Sequence, residues 1–150
     1  MALPNTNNDE SPLTITSIDG ETLTVPAAVK QWSQTIADIC EDLPDEDEPI
    51  PILNEKATSA NLVKMVEFIT HLHGSPEAAR ELQEAINDKV LEDKLPEWFL
   101  DFIAIPMQQK CDLLILADYL HIKILIDSVS LHMANMIRMQ TMTGLERMFS

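Results

Sequence analysis

The sequence predicts an α/β domain, mostly helical, in which helices cover a small sheet. Hydrophobic residues make up 45% of the 150-residue chain, but aromatic residues only 5%. The core is therefore mainly aliphatic side chains and methionine, which is typical of helices packed on helices or on a small sheet. Apolar residues alternate near the N-terminus and recur at three- and four-residue spacing later. A chain of this length fits one domain that folds without metal or disulfide bonds.

The N-terminal part predicts the strands of the sheet. Apolar residues and threonine alternate over 13–16 and 22–25, and an Asp-Gly pair at 19–20 lies between them. Glycine takes the positive φ that a tight turn needs, so we expect a β-hairpin. Residues 50–52 predict a very short third strand, confined to an edge or an end by its internal proline. The polar residues 1–12 are expected to be disordered.

Helix boundaries follow from capping residues. Side chains that accept hydrogen bonds from the first free N–H groups precede each expected helix, and glycine or proline follows or opens it. Pro26 opens a helical turn that runs through Lys30. The expected N-caps are Ser33 for a helix to about Asp42, Thr58 or Ser59 for a helix ended by Gly74, and Ser75 before Pro76.

The last third carries more apolar surface than a monomer of this size needs. A helix that follows Pro106 is apolar all round over 113–117, and such a helix belongs in a core or against a partner. The next helix starts near Ile122 and shows one long apolar face and the beginning of a second. Gly144 weakens the final segment, 143–149. Two apolar faces indicate a surface for another chain.

Methionine is concentrated in the same region, since six of the eight methionines lie in residues 101–150. Methionine is unbranched and flexible, so an apolar surface rich in it adapts to several related partners. Filling the core is an equally good interpretation for any single one of these side chains.

Charge and cysteine content limit the partners and the compartment. Ten basic against 25 acidic residues give a net charge of −15, which argues against nucleic acid or an anionic membrane as the main partner. No apolar run approaches membrane-spanning length. Cys40 and Cys111 are too few for a disulfide framework, so we expect a reducing intracellular compartment.

The sequence offers no catalytic residues, metal ligands or cofactor site that we can identify. The three glycines are scattered and form no phosphate-binding loop. His71 and His73 are two residues apart, which on a helix points them to different faces. The acidic residues 45–48 lack the glycine and the spaced ligands of a calcium loop. No nucleophile elbow organises the serine and histidine residues, so we expect a protein that is not an enzyme.

Two stretches resemble a known family. The first contains Ile15-Thr-Ser-Ile-Asp-Gly-Glu, then Ser33-Gln-Thr-Ile and the acidic residues before Ile50. The second contains Trp98-Phe-Leu-Asp-Phe and, further on, Leu113-Leu-Ile-Leu-Ala-Asp-Tyr-Leu-His-Ile-Lys. Together they are similar, in order and spacing over about 13–149, to the Skp family of F-box adaptors. The resemblance implies a BTB/POZ-like fold at 13–121, with a small three-stranded sheet covered by helices. It also implies the family's C-terminal F-box-binding helices at 122–150, in a shortened form.

The resemblance also implies partners and contact residues. Members of the family link the N-terminal domain of a cullin to the F-box of a substrate receptor, catalyse nothing themselves and act in ubiquitin-dependent degradation. Linking two binding sites raises the effective concentration of one at the other. The positions that match the cullin-binding residues are Ser33, Thr35, Ile36, Asp118 and Tyr119. Those that match the F-box-binding residues are Ile126, Val129, Met133, Met136 and Ile137 on the sixth main helix, and Leu145 and Phe149 on the seventh.

Three departures from the family pattern modify these expectations. Asp118 stands where the family usually has an amide, and Ala37 stands where it has a basic residue, so the cullin side is more acidic. The family continues past the phenylalanine that matches Phe149 with a linker and a further helix, whereas this sequence ends at Ser150. We therefore expect weaker F-box binding, because part of the buried apolar contact is lost. Tyr119 has an alternative interpretation as a core tyrosine.

Two further hypotheses stay open beside the adaptor. The chain could be a BTB domain that self-associates, forming a homodimer when unpartnered, or a decoy that binds cullin without F-box protein. An elongin-C-like adaptor is a close relative of the first hypothesis, but its shape ends soon after the Ala-Asp-Tyr-Leu helix, whereas here 122–149 follows. We expect a cytoplasmic and nuclear protein.

Overall fold

A computed structural model describes residues 11–43 and 48–149. Most of the predicted disordered segment (1–10), most of the acidic loop (44–47) and Ser150 lie outside the described residues. The strands form one three-stranded sheet of order β2-β1-β3, in which β1 pairs antiparallel with β2 and parallel with β3. The predicted hairpin and short third strand are confirmed. The strands are β1 (Leu13–Thr16), β2 (Thr22–Val25) and β3 (Ile50–Pro51).

The hairpin turn is held by hydrogen bonds within the turn and by the first residue of the helix that begins at Ser59. Gly20 has a φ of +89°, the positive value that the Asp-Gly pair predicted. The Asp19 carboxylate accepts hydrogen bonds from the backbone N–H of Ser59 at 3.0 Å, from its hydroxyl at 3.1 Å and from the Ser17 hydroxyl. The bond from Ser17, and then those from Ser59, hold the pKa of Asp19 below its usual value.

The other elements of regular secondary structure in the described chain are seven α-helices and one 3₁₀ turn. The fold is therefore the mostly helical α/β arrangement that the sequence predicted. In chain order these elements are α1 (Val29–Trp32), α2 (Gln34–Asp42), α3 (Ser59–Gly74), α4 (Pro76–Asp88), the 3₁₀ turn (Glu92–Lys94), α5 (Glu97–Phe102), α6 (Met107–Leu120) and α7 (Lys123–Phe149).

The predicted N-caps are confirmed. The side chain of Ser33 accepts from the N–H of Ile36 at 3.2 Å, and Ser75 accepts from the N–H of Ala78 at the same distance. Of the two candidates before α3, Thr58 is the cap. These bonds satisfy donors that have no partner inside a helix, so each helix begins where its cap stands.

The core lies between the sheet and α3, α6 and the first half of α7. Phe68 and Phe99, both fully buried, anchor an aromatic cluster in which the Phe68 and Phe102 ring centroids are 5.4 Å apart. The apolar centre of α6 buries Leu113 and Leu116 but leaves Ile115 about half exposed. No helix in residues 11–43 and 48–149 is long and apolar enough to cross a membrane.

The prediction of separate sixth and seventh main helices is wrong. One helix, α7, runs without a break from Lys123 to Phe149, through Gly144. A single glycine costs a helix about 1 kcal/mol relative to alanine but keeps its N–H donor, and its neighbours include good helix formers. Every residue of α7 from Met139 onward is exposed. The helix therefore packs on the core through its first half only.

Candidate partner-binding surfaces

The first candidate surface is the corner where α2 begins and α6 ends. The buried Ser33 hydroxyl donates a hydrogen bond to the carbonyl of Leu120 at 2.6 Å, and the Thr35 hydroxyl donates to that of Tyr119 at 2.9 Å. Both carbonyls belong to the last turn of α6, where helical partners run out. Two short side chains thus fix the start of one helix against the end of another that lies more than 80 residues away in the sequence.

His121 closes this corner in an unusual backbone conformation. It follows α6 with a φ of +54° and a ψ of +50°, which is the left-handed region, and its N–H bonds back to the carbonyls of Ala117 and Asp118. Few residues other than glycine adopt this conformation, and histidine is among those that do so more often. Its Nδ1 lies 2.9 Å from the Thr35 hydroxyl oxygen. His121 is therefore fixed at two points, by its backbone N–H and by its ring nitrogen.

The predicted cullin-binding residues divide into two groups. Asp118 is exposed, and Thr35 and Tyr119 are half-buried at the surface. Ser33 and Ile36 are fully buried, so their part in cullin binding stays a prediction. The Ser33 hydroxyl bonds the Leu120 carbonyl and the N–H of Ile36, and the Ile36 side chain belongs to the core. We call the accessible set the corner surface. It consists of Thr35, Asp118, Tyr119 and His121.

The surroundings of the corner surface are acidic. Helix α2 contains three exposed carboxylates and no lysine or arginine, and Asp118 adds a fourth at the end of α6. Of the α2 acids, Asp38 accepts a hydrogen bond from the Gln34 side chain at 2.8 Å. A surface with this charge attracts positively charged groups and repels acidic ones.

The second candidate surface is the part of α7 that leaves the core. We call residues 136–149 the exposed half of α7. Its apolar side chains contact solvent, and Phe149 is 85% exposed. Met139, Met142, Leu145 and Met148 recur every three residues and form an apolar strip, which is typical of a protein interaction site. Its large exposed hydrophobic residues are Ile137, Met139, Met142, Leu145, Met148 and Phe149.

The predicted F-box-binding residues are spread along α7 from core to solvent. Ile137, Leu145 and Phe149 are exposed, whereas Val129 is fully buried and belongs to the core. The role of Val129 as an F-box contact stays a prediction. The remaining three, Ile126, Met133 and Met136, are half-buried.

A buried polar network marks the place where α7 leaves the core. Lys110 of α6 lies with its Nζ 2.8 Å from His132 Nε2, and His132 Nδ1 lies 2.6 Å from a carboxylate oxygen of Glu92. An ammonium group only donates, so Nε2 is the acceptor, and Nδ1 carries the hydrogen that bonds Glu92. Burial is the main cause that lowers the pKa of His132. Lys110 lowers it further, and Glu92 opposes both.

Asn135 adds a second anchor one turn further along α7. Its side-chain N–H donates to the carbonyl of Val90 at 3.2 Å, and its oxygen accepts from Arg138 at 3.3 Å. With His132, it fixes the last buried turn of the helix to the segment after α4. Beyond this point the exposed half of α7 begins.

Comparisons with known proteins bear on this arrangement. The model of the Skp1 family tetramerisation domain matches residues 11–74. The SCF ubiquitin ligase complex protein SKP1a of Dictyostelium discoideum is 30% identical over 134 residues, covering 89% of this chain and 80% of the relative.

The chain belongs to the Skp1 family.

Other relatives in the family show the same extent of similarity. The SCF subunit sconC of Arthroderma benhamiae, named as part of an E3 ubiquitin ligase complex, is 29% identical over 138 residues, covering 92% of this chain and 82% of the relative. A Skp1-related protein of Caenorhabditis elegans is 29% identical over 147 residues, covering 94% and 81%. The predicted family and its α/β fold are thus confirmed.

Sequence reasoning missed three residues of these surfaces. His121 was part of a quoted motif but received no role, although a histidine directly after a helix is a candidate for the left-handed position. Lys110 and His132 are buried, but both helices contain many other polar residues, so the sequence held no signal that distinguished these two. In the described part of the chain, no group of three or more His, Cys, Asp or Glu side chains is placed to hold a metal ion.

Proposed function

We propose that this Skp1-family chain is a non-catalytic adaptor that links F-box substrate receptors to a cullin scaffold in an SCF ubiquitin ligase complex. The names of its relatives as SCF subunits support a role in that complex. The observation that carries the adaptor role is the presence of two chemically different surfaces on one body. One is polar, acidic and fixed by hydrogen bonds, and the other is an apolar helix strip.

On the cullin side, we propose that Thr35, Asp118 and Tyr119 make the contacts. A tyrosine at the rim offers a large apolar ring with one polar tip, which suits an interface. Ser33 and Ile36 act from beneath, because the first fixes the end of α6 and the second fills the core under α2.

On the F-box side, we propose contacts along one helix, from the half-buried Ile126, Met133 and Met136 to the exposed Ile137, Leu145 and Phe149. Covering apolar surface stabilises a complex by roughly 25 cal/mol per Å² before the cost of association. Val129 supports this helix from inside the core.

Isothermal titration calorimetry of the chain with a cullin N-terminal domain and, separately, with an F-box domain tests the proposal. Tyr119→Ala should weaken only the cullin complex, and Leu145→Asp only the F-box complex, since each residue lies on one surface. Each variant is the matched control for the other. Loss of both complexes in one variant would contradict two separate surfaces, and absence of both complexes in the wild type would contradict the adaptor role.

A second candidate function is self-association through the exposed half of α7. The strip of exposed methionine, leucine and phenylalanine side chains favours it, because such a strip is equally able to cover a second copy of itself. Light scattering of the chain alone distinguishes the two: a dimer that Leu145→Asp converts to monomer favours self-association. We also propose a cytoplasmic and nuclear location, which imaging of the tagged chain tests.

A further inference from the structure

The Thr35 hydroxyl fixes the position of the hydrogen on the His121 ring. Its oxygen lies 2.9 Å from the carbonyl oxygen of Tyr119 and 2.9 Å from His121 Nδ1. A carbonyl oxygen only accepts, and a hydroxyl has a single hydrogen to donate. That hydrogen goes to Tyr119, so the hydroxyl oxygen turns a lone pair toward His121. Both contacts are hydrogen bonds only when Nδ1 carries a hydrogen.

This arrangement leaves Nε2 of the neutral ring without a hydrogen, as a free acceptor. A neutral imidazole has one N–H, and the group bonded to one nitrogen decides the role of the other. His121 is exposed, and none of the hydrogen bonds between described residues involves its Nε2. Because the backbone at His121 is also held by Ala117 and Asp118, the acceptor is oriented before any partner arrives.

The charge around this acceptor defines the group that fits it. Asp118 and Asp38 are exposed and lie three residues from His121 and Thr35 respectively, and residues 112–122 contain no lysine or arginine. Lys123, the nearest cation along the chain, is bonded to Asp127 at 2.8 Å. An acceptor nitrogen among carboxylates suits a positively charged N–H donor.

We propose that His121 is a specificity-determining residue of the corner surface, and that its Nε2 accepts a hydrogen bond from an arginine or lysine side chain of the partner. This rests on the proposed function in one respect, that the corner surface docks a cullin. The tautomer itself rests only on the contacts within the chain.

The tautomer is tested first, on the free chain, by long-range ¹H–¹⁵N correlation NMR at pH 8. We expect the His121 ring to show a hydrogen on Nδ1 and a bare Nε2. Thr35→Val removes the acceptor for Nδ1–H and should shift the ring toward a mixture of tautomers, whereas Thr35→Ser keeps the hydroxyl and the wild-type pattern. A hydrogen on Nε2 in the wild type would overturn the inference.

The role of Nε2 is tested by calorimetry with a cullin N-terminal domain. His121→Asn keeps a side chain that tolerates the left-handed backbone but removes the ring acceptor, so affinity should fall about tenfold or more, as for one lost bond to a charged group. Thr35→Val should lower affinity by less, and Thr35→Ser should not change it. Gln140→Ala, on the exposed half of α7, is the control that leaves cullin affinity unchanged.

The outcomes separate this inference from the proposed function. Equal affinities of the wild type and His121→Asn, with a folded variant by thermal unfolding, would overturn the role of Nε2 and leave the adaptor proposal standing. No cullin binding by the wild type would overturn both, while the tautomer would remain a measured property of the free chain. A second His121 variant, His121→Gly, relieves the left-handed backbone. It should bind as weakly as His121→Asn; wild-type affinity in it would show that the ring is not recognised.

Discussion

The corner surface and the exposed half of α7 meet solvent in opposite ways. At the corner, side chains of α2 are bonded to carbonyls of α6, and His121 is held in place by Thr35. Along the exposed half of α7, residues from Met139 onward are in contact with solvent, and the side chains have little beyond their own helix to rest on. The polar groups of the corner surface are oriented before binding, whereas the side chains of the exposed half of α7 are free to adjust to a partner.

This difference assigns different tasks to the two surfaces. A surface whose polar groups are already oriented loses little conformational entropy on binding and discriminates between partners by hydrogen-bond geometry. An apolar strip gains free energy in proportion to the area covered, with little directional demand, and its methionines adapt to different shapes. Constant recognition at the corner and variable recognition on α7 would suit the adaptor role proposed above.

Substitution of Ser33 should cause the largest loss of stability at the corner. Ser33→Ala removes both the cap on Ile36 and the bond to the Leu120 carbonyl, which then stays buried without a donor. We expect the free energy of unfolding to fall by about 3 kcal/mol, which sums about 1 for a cap and about 2 for an unsatisfied buried group. Urea unfolding followed by circular dichroism measures it. Ser75→Ala removes a cap that, within the described residues, bonds only the N–H of Ala78, so it should cost only about 1 kcal/mol. Equal losses would contradict the special role of the corner.

The boundary between the packed and exposed halves of α7 should be sensitive to acid. The folded-state pKa of His132 is lowered, mainly by burial, so below about pH 6.5 the unfolded chain binds a proton that the folded chain does not. Stability is therefore fully present above that pH and falls as pH decreases below it. The ring faces Lys110 and Glu92, and its added proton would point at the Lys110 ammonium.

Urea unfolding at a series of pH values from 7.5 to 5 measures this effect. His132→Gln has no imidazole to protonate, so its stability should depend less on pH over this window than that of the wild type. Parallel pH curves for the two proteins would show that folding does not lower the pKa of His132, and would contradict the prediction.

Gly144→Ala should stabilise the exposed half of α7 without disturbing the core. Apart from its chain neighbours and the backbone of its own helix, no atom lies within 4 Å of the place that the added methyl group would take. Alanine favours a helix by up to about 1 kcal/mol over glycine, so the exposed half of α7 should fray less. Hydrogen exchange of the amides of 140–149 should slow severalfold, while the global unfolding free energy stays unchanged. An increase in global stability would mean that this half is coupled to the core.

The smallest effect on stability is expected for Leu145→Asp. The side chain is about half exposed, so its replacement should change the unfolding free energy by less than about 0.5 kcal/mol. Val129→Ala, in the same helix but fully buried, should cost about 1–3 kcal/mol. Thermal unfolding of the two variants measures the contrast. A large loss in Leu145→Asp would contradict the description of this half as unpacked.

Local features of the fold could be predicted from the sequence, because short-range chemistry decides them. The Asp-Gly pair specified the hairpin turn, and Ser33, Thr58 and Ser75 specified the starts of three helices. In each case the deciding hydrogen bond joins residues two to four positions apart, so the sequence contains both partners.

The buried face of α7 could not be predicted, because its polar members are satisfied from elsewhere. The apolar spacing did not indicate that the chain buries Ser128, His132 and Asn135. His132 and Asn135 find partners on α6 and in the segment after α4, 22 to 45 residues away. A pattern of hydrophobicity cannot anticipate such bonds, and the same is true of Ser33 at the corner, which bonds 87 residues away.

The unbroken course of α7 also has a mechanical consequence. Residues 136–149 continue the helix without a break. Just before them, His132 and Asn135 are bonded to Lys110, Glu92 and Val90. At 1.5 Å per residue, this part of α7 extends about 20 Å from these bonds. A tilt of only a few degrees at its start would move its tip by more than 1 Å. The orientation of a receptor bound to this part of α7 would thus depend on a few buried polar groups that the receptor does not contact.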